Sequence, residues 1–178
     1  MKTLVVNLFA GPGTGKSTSC AQLFSELKWN GIVCEMALEF AKDKVWEESF
    51  KVLDNQIYIF GKQLHRMKRL ENKVDIIITD SPLLFSLIYD KSKNEDFKNL
   101  VISTHKSFNN YNVFLTREKE YKESGRLQKL NDAKLLDLKI LNMLDEAGES
   151  YSRVRGNKES ITKLSELIVK IRGELTKK

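Results

Sequence analysis

The chain has 178 residues, of which 41% are hydrophobic and nine are phenylalanine, which is enough material for one complete core. No apolar run approaches the roughly 18 residues of a membrane-spanning helix, so we expect a soluble protein without a membrane partner. The net charge of +6 suits a protein that handles phosphates. Nucleic acid is a possible but not a favoured partner, because the basic residues are spread along the whole chain.

The chain begins with an apolar segment, Thr3–Phe9, which predicts a buried strand and not a signal peptide, since no small-residue cleavage site follows it. The next residues, AGPGTGKST from Ala10 to Thr18, match the pattern [AG]-x4-G-K-[ST] between a strand and an amphipathic helix. This context predicts a phosphate-binding loop, with ATP and Mg²⁺ as its ligands.

Each part of this loop has an expected task. The residues expected to bind the nucleotide are Gly11, Pro12, Gly13, Thr14, Gly15, Lys16, Ser17 and Thr18. The glycines let successive backbone N–H groups point at phosphate oxygens. Lys16 supplies a cation to the terminal phosphates, Ser17 ligates Mg²⁺, and Thr18 reaches the α-phosphate. Ala10 stands at a position where glycine is also common, and its methyl group need not face the ligand.

The helix after the loop carries Cys20 at helical spacing with Leu23 and Leu27, which predicts a buried thiol without chemistry. Cys20 and Cys34 are too far apart in sequence for a CxxC site. We expect both thiols to be reduced, as is usual in a cytoplasmic protein.

The second predicted strand, Gly31–Met36, leads to Glu39, and the helix after it contains Gln56. A carboxylate at a strand end beside the loop can accept the proton of an attacking hydroxyl, although an exposed glutamate at a helix start is the alternative. The predicted helix runs to about Leu70, with an apolar stripe formed by Leu53, Ile57, Phe60, Leu64 and Met67. Gln56 lies at the edge of this stripe, where its amide can bind a nucleobase-like acceptor or face solvent.

The third predicted strand, Val74–Thr79, is followed by Asp80. A carboxylate at the end of a buried strand is the expected second ligand of Mg²⁺, while Asp-Ser-Pro also suits the start of a helix. The residues Asn72–Asp75 spell NKxD, the guanine-reading motif of GTPases, but they precede the strand and so lie at the wrong end of the sheet. We therefore do not expect a GTPase.

The fourth predicted strand, Tyr111–Thr116, leads to a charged segment from 117 to about 131 that we interpret as a lid. Arg117 and Arg126 can close on ATP and stabilise the transferring phosphoryl group, whereas a solvated charged loop is the alternative. A fifth strand, Ser150–Val154, and a helix with the stripe Ile161, Leu164, Ile168 and Ile171 follow.

Strands and helices thus alternate along the chain, which predicts a parallel sheet covered by helices on both faces. The predicted fold class is α/β, with a five-stranded parallel sheet in a P-loop NTPase fold of the nucleoside- and nucleotide-kinase type. We expect residues 1–178 to form a single domain.

Several segments taken in order resemble the NadR-like P-loop kinase domain family, which includes ribosylnicotinamide kinases and stand-alone phage relatives. They are AGPGTGKST, Glu39–Asp43, Asp54–Gln56, Ile78–Ser81 and Ser124–Arg126, and the similarity covers nearly the whole chain. The resemblance implies that Glu39 and Asp80 lie at the reacting hydroxyl and the metal, with Arg126 as the lid arginine.

The chain also departs from that family. Ribosylnicotinamide kinases tend to have Asp-Thr-Asp where this chain has Asp80-Ser81-Pro82, and their lid has the form Asp-Gly-x-Arg, whereas Ser124 precedes Gly125 here. The resemblance therefore indicates the reaction more strongly than the substrate.

We predict an ATP-dependent kinase that transfers the γ-phosphoryl group to a hydroxyl of a nucleoside-like or nucleotide-like small molecule. The predicted catalytic residues are Lys16, Glu39, Asp80, Arg126 and Arg117, with Glu39 and Gln56 binding the acceptor and Ser17 and Asp80 binding the metal. Three alternatives remain open. They are a nucleoside monophosphate kinase using Arg66 or Arg69 for the acceptor phosphate, a kinase acting on a modified base or end in DNA, and an ATPase module that drives a partner.

Overall fold

The structure is a computed structural model that describes residues 2–118 and 130–176. The described residues form five strands and eight helices. In chain order these are β1 (Leu4–Phe9), α1 (Lys16–Trp29), β2 (Cys34–Met36), α2 (Phe40–Trp46), α3 (Phe50–Leu53), α4 (Gln56–Lys68), β3 (Ile76–Thr79), α5 (Phe85–Tyr89), α6 (Glu95–Ser107), β4 (Asn109–Thr116), α7 (Leu130–Glu146), β5 (Ser152–Arg155) and α8 (Lys158–Thr176). None of the helices in these ranges is long and apolar enough to cross a membrane.

The five strands form one sheet in the order β2-β3-β1-β4-β5, and every neighbouring pair is parallel. The register at the centre places Val5 of β1 beside Ile77 of β3 and Asn110 of β4. The predicted α/β fold class and its five-stranded parallel sheet are confirmed, with strand ends shifted by at most three residues. Because all strands run the same way, their carboxyl ends meet at one edge of the sheet.

Alternate residues of the central strands face two separate apolar layers. On one face, Leu4, Val6 and Leu8 of β1 pack with residues of α1 and α8, among them Cys20, Leu23, Leu27, Ile161, Leu164 and Ile168. On the other face, Val5 and Phe9 pack with residues of α4, α5, α6 and α7. The predicted stripe on α1 is buried, that on α8 is buried except for the partly buried Ile171, and the prediction of a buried Cys20 is confirmed.

The long helix predicted from Leu53 to about Leu70 was wrong at its start and on its buried face. Asn55 begins a new helix, because its side chain accepts a hydrogen bond from the Tyr58 N–H at 3.1 Å and so caps α4. Ile57, predicted to be in the core, is 65% exposed. The face that packs inward consists of Gln56, Ile59, Phe60, Gln63 and Met67.

Asp75, the last residue of the NKxD sequence, lies at the amino end of β3, opposite the edge where the strands end. Its carboxylate pairs with the Arg172 guanidinium of α8 and accepts a hydrogen bond from the Val33 N–H at 3.3 Å. Asp75 therefore joins α8 and the segment before β2 to the sheet, which is a structural role.

We expect Asp75→Asn to lower the free energy of unfolding by about 1–2 kcal/mol, because the partly buried Arg172 loses its charged partner. The preference for ATP over GTP should not change, since Asp75 is remote from the phosphate-binding loop. Urea unfolding and nucleotide competition measure the two effects, with Asp145→Asn at an exposed position of α7 as the matched control. A shift in nucleotide preference would contradict this assignment.

Candidate active site

Four predicted site segments meet at the carboxyl edge of the sheet. The phosphate-binding loop follows β1, Asp80 follows β3, Glu39 follows β2 after two residues, and Arg117 follows β4. Since β1 lies between β3 and β4, the loop is flanked by Asp80 on one side and Arg117 on the other. This is the edge at which open parallel sheets bind their ligands.

The backbone of the loop needs glycine for two different reasons. Gly13 and Gly15 have φ angles of 78° and 97°, in the left-handed region that side chains other than glycine rarely adopt. Gly11 needs space, because a Cβ atom there would lie 2.6 Å from Asp137 Oδ1 and 2.9 Å from the Ala133 carbonyl oxygen. Ala10, by contrast, is buried in the apolar layer under α1, so its methyl group faces the core.

Lys16 is the first residue of α1, and its ammonium group points back across the loop. Its Nζ donates to the carbonyl oxygens of Ala10 at 2.7 Å and Gly11 at 3.3 Å, and lies 5.6 Å from the centre of the Phe85 ring. Burial lowers the pKa of Lys16 below its ordinary value, while the nearby carboxylates, Glu39 first among them, oppose this shift. Lys16 is thus a cation surrounded by acidic groups where terminal phosphates are expected.

Ser17 and Asp80, the two predicted metal ligands, are in direct contact. The Ser17 hydroxyl donates to Asp80 Oδ2 at 2.7 Å, and Asp80 is only 4% exposed. The other carboxylate oxygen, Oδ1, accepts a hydrogen bond from the Glu39 N–H at 3.2 Å. Asp80 does not cap α5, which begins at Phe85. Its two oxygens instead connect the loop to the segment that carries Glu39.

The Ser17 hydroxyl and Asp80 carboxylate suit Mg²⁺, which prefers oxygen ligands and usually keeps water and phosphate oxygens in its shell. Within residues 2–118 and 130–176 no group of three or more His, Cys, Asp or Glu side chains is placed to hold a metal ion. A cation at Ser17 and Asp80 would therefore need further ligands from a nucleotide, as expected at a phosphate-binding loop.

Glu39 occupies the cap position of α2, yet its side chain makes no capping hydrogen bond. Burial raises the pKa of Glu39 above its ordinary value, Lys16 lowers it, and the Asp80 charge raises it further. Tyr89, at the end of α5, lies close enough for the Glu39 charge to add to the effect of burial in raising the Tyr89 pKa. The Glu39 carboxyl group therefore lies within electrostatic range of Lys16 and Asp80, and also of Tyr89, which the sequence did not indicate.

Arg117 makes hydrogen bonds both to the loop and to α7. Its Nη1 donates to the Pro12 carbonyl oxygen at 2.8 Å, and its Nη2 donates to Asp137 Oδ2 at 2.9 Å. Asp137 also accepts a hydrogen bond from the Gly11 N–H through Oδ1, at 2.6 Å. The sequence analysis missed Asp137. It lies on the same face of α7 as Ala133 and Ile140, four residues after the first and three before the second, and both of these are buried.

Two further predictions concern the acceptor and the lid. Gln56 is buried on α4, and its Nε2 donates to the Leu53 carbonyl oxygen at 2.7 Å, which joins α4 to α3. Arg126 lies outside the described residues, as does the predicted lid except for 117–118 and 130–131. The roles of Gln56 in acceptor binding and of Arg126 at the phosphoryl group stay predictions.

Comparisons with solved structures found several chains that are similar to this one. The NadR protein in complex with NR matches with a TM-score of 0.73 and 15% identity, covering 96% of this chain and 52% of the NadR chain. The shikimate kinase of Aquifex aeolicus has a TM-score of 0.47, 17% identity and coverage of 97% and 98%. The APS kinase CysC of Mycobacterium tuberculosis, in complex with AMPPNP and APS, has a TM-score of 0.49, 14% identity and coverage of 95% and 96%.

The match to NadR shows that the two chains share a fold, and this chain spans about half the length of that structure. No curated protein sequence is significantly similar to this chain. The family model described as AAA domain matches residues 5–160, and the chain therefore belongs to this family of P-loop proteins.

Proposed function

We propose that this protein is an ATP-dependent kinase that transfers the γ-phosphoryl group to a hydroxyl of a nucleoside-like or nucleotide-like small molecule. The observation that carries the proposal is the position of Glu39. Glu39 follows a different strand from the loop, its N–H donates to Asp80 Oδ1 at 3.2 Å, and its carboxyl group lies within electrostatic range of Lys16. A carboxylate there can accept a proton from a hydroxyl that approaches the terminal phosphate.

In the proposed reaction the acceptor oxygen attacks the γ-phosphorus of ATP, and the bond from that phosphorus to the β,γ-bridging oxygen breaks. ADP leaves with the electron pair of that bond, and the hydroxyl proton passes to the Glu39 carboxylate. The raised pKa of Glu39 makes the carboxylate a stronger proton acceptor than an exposed glutamate.

The remaining residues bind and neutralise the triphosphate. Lys16 would exchange its bonds to the loop carbonyls for phosphate oxygens, and Arg117 lies at the opposite side of the loop. Ser17 and Asp80 would hold Mg²⁺, which supplies positive charge to the phosphate oxygens when it is bound. Arg126 is proposed to complete this positive charge from the lid.

The choice of a nucleoside-like acceptor draws on the NadR structure, which contains NR, and on the surroundings of Glu39. A monophosphate acceptor needs arginines, but Arg66 pairs with Asp43, donates to the Leu38 carbonyl oxygen at 3.0 Å and lies over the Phe40 ring. Arg69 follows the carboxyl end of α4, where the chain returns to the amino end of β3. These contacts favour an acceptor without a phosphate group.

Transfer of labelled γ-phosphate from ATP tests the proposal directly. The panel contains nucleosides including NR, nucleoside monophosphates and DNA oligonucleotides, with phosphate release measured in parallel. We expect a labelled nucleoside product that depends on Mg²⁺ and forms at least about 100-fold more slowly in Glu39→Gln. Labelled nucleoside diphosphates or labelled DNA would favour the corresponding alternative kinase, and phosphate release without any labelled acceptor would favour an ATPase module.

A further inference from the structure

The turn that carries Glu39 is held by side chains from two other elements. The Ala37 carbonyl oxygen accepts hydrogen bonds from Thr79 Oγ1 at 2.8 Å and from Gln63 Nε2 at 3.1 Å. The Phe40 N–H donates to Gln63 Oε1 at 3.0 Å. With the bond from the Glu39 N–H to Asp80, three backbone groups around Glu39 are fixed by side chains of α4 and of the β3 end.

A side-chain amide suits both of the contacts that Gln63 makes here. The Phe40 N–H needs an acceptor and the Ala37 carbonyl needs a donor, and a primary amide presents one of each. Gln63 is only 4% exposed and Thr79 is fully buried, so water cannot replace these bonds easily. Gln63 Nε2 also lies 3.4 Å from Thr79 Oγ1. The two side chains and the Ala37 carbonyl group therefore form one buried network.

The Gln63 amide also does what a helix cap usually does. The first N–H groups of a helix lack partners within the helix, and the side chain at the cap position normally accepts one of them. Glu39 has that position in α2 but makes no such bond, whereas Gln63 accepts from Phe40. The Glu39 carboxylate is therefore not needed to start the helix and remains available for the reaction.

We propose that Gln63 is a positioning residue, which holds the turn from Ala37 to Phe40 so that the Glu39 carboxylate keeps a fixed place relative to Asp80. This inference rests on the proposed function, because it is Glu39 as proton acceptor that gains from being fixed. A misplacement of about 1 Å at a reacting group can reduce turnover by up to about 100-fold.

Amide hydrogen exchange tests the contact itself without any ligand or activity. Gln63→Met keeps the approximate volume of the side chain but cannot bond to Phe40 or Ala37. We expect exchange of the Phe40 N–H, measured by NMR, to become at least about 10-fold faster. The matched control is Gln22→Met, which removes bonds from α1 to Lys158 and Thr162 of α8, away from the turn. Unchanged protection of Phe40 would overturn the proposal.

Turnover then separates positioning from a merely structural role. The assay is γ-phosphoryl transfer with the panel of nucleosides, monophosphates and DNA described above. We expect Gln63→Met to lower kcat about 10-fold or more while KM for ATP stays within about threefold, and Gln22→Met to leave both unchanged. In a Glu39→Gln background the same change should have almost no further effect, because Gln63 acts through Glu39.

The outcomes are distinct. If Gln63→Met lowers kcat by the same factor in the wild-type protein and in the Glu39→Gln variant, Gln63 only stabilises the fold. A normal kcat of Gln63→Met would also overturn the inference. Wild-type protein that transfers phosphate to nothing in the panel would overturn the proposed function and the positioning role with it. If Gln63→Met does not fold, Thr79→Val removes the other donor to Ala37 and should give a smaller loss that likewise vanishes with Glu39→Gln.

Discussion

Lys16→Ala is expected to lower phosphoryl transfer by about 1000-fold, the scale observed when a charged group aimed at a reacting phosphate or oxyanion is lost. The physical reason is that Lys16 supplies positive charge to the loop within range of the Glu39, Asp80 and Asp137 carboxylates, and Arg117 alone cannot replace it. The fold should survive, since the ammonium group bonds to loop carbonyls and does not pack in either apolar layer.

The measurement is turnover together with binding of a fluorescent ATP analogue with Mg²⁺, and thermal unfolding reports on the fold. Lys170→Ala, which removes an exposed lysine of α8, is the matched control and should behave as wild type. Activity of Lys16→Ala within a factor of about two of wild type would rule out the assigned role of the loop.

Glu39→Gln is expected to lower turnover by about 100-fold or more while the affinity for ATP stays nearly the same, the usual result of removing a general base. An amide of the same shape cannot accept the hydroxyl proton, although the Glu39 N–H still donates to Asp80. Because the change removes an interaction of the transition state, kcat and kcat/KM should fall together.

Single-turnover transfer and equilibrium binding of nucleotide separate the two quantities for this variant. Glu166→Gln, at an exposed position of α8, is the corresponding control. Loss of ATP affinity with normal turnover at saturating ATP would show that Glu39 binds the nucleotide and does not take the proton.

The parts of the fold that the sequence predicted well are those in which one local pattern decides the structure. A continuous apolar segment such as Ile76–Thr79 favours a strand covered on both faces. Glycines followed by Lys16, between a strand and a helix, define the phosphate-binding loop. Asp80 and Glu39 were predicted because each follows a strand, and strand ends in a parallel sheet converge.

The parts that were missed depend on contacts between distant segments. Gln63 and Asp137 are polar residues on the buried stripes of α4 and α7, and their partners are 16 to 126 residues away in sequence. A prediction from hydrophobic periodicity leaves such polar positions out of the buried face. For α4 the same method placed Ile57 on the buried face, whereas Ile57 is exposed. A polar residue that interrupts an otherwise apolar stripe deserves testing as a residue of the site.

The strand that leads to Glu39 has one more consequence for the behaviour of the molecule. β2 has three residues, lies at the edge of the sheet and pairs with β3 alone. Short α2 and α3 follow it, and Trp46 and Phe50 there are largely exposed. We expect such a segment to open at a smaller free energy than the global unfolding transition, with the bonds from Gln63 and Thr79 to the turn at 37–40 as its main restraint. We therefore expect local opening of residues 34–55 to displace Glu39 while the phosphate-binding loop after the central strand β1 keeps its structure.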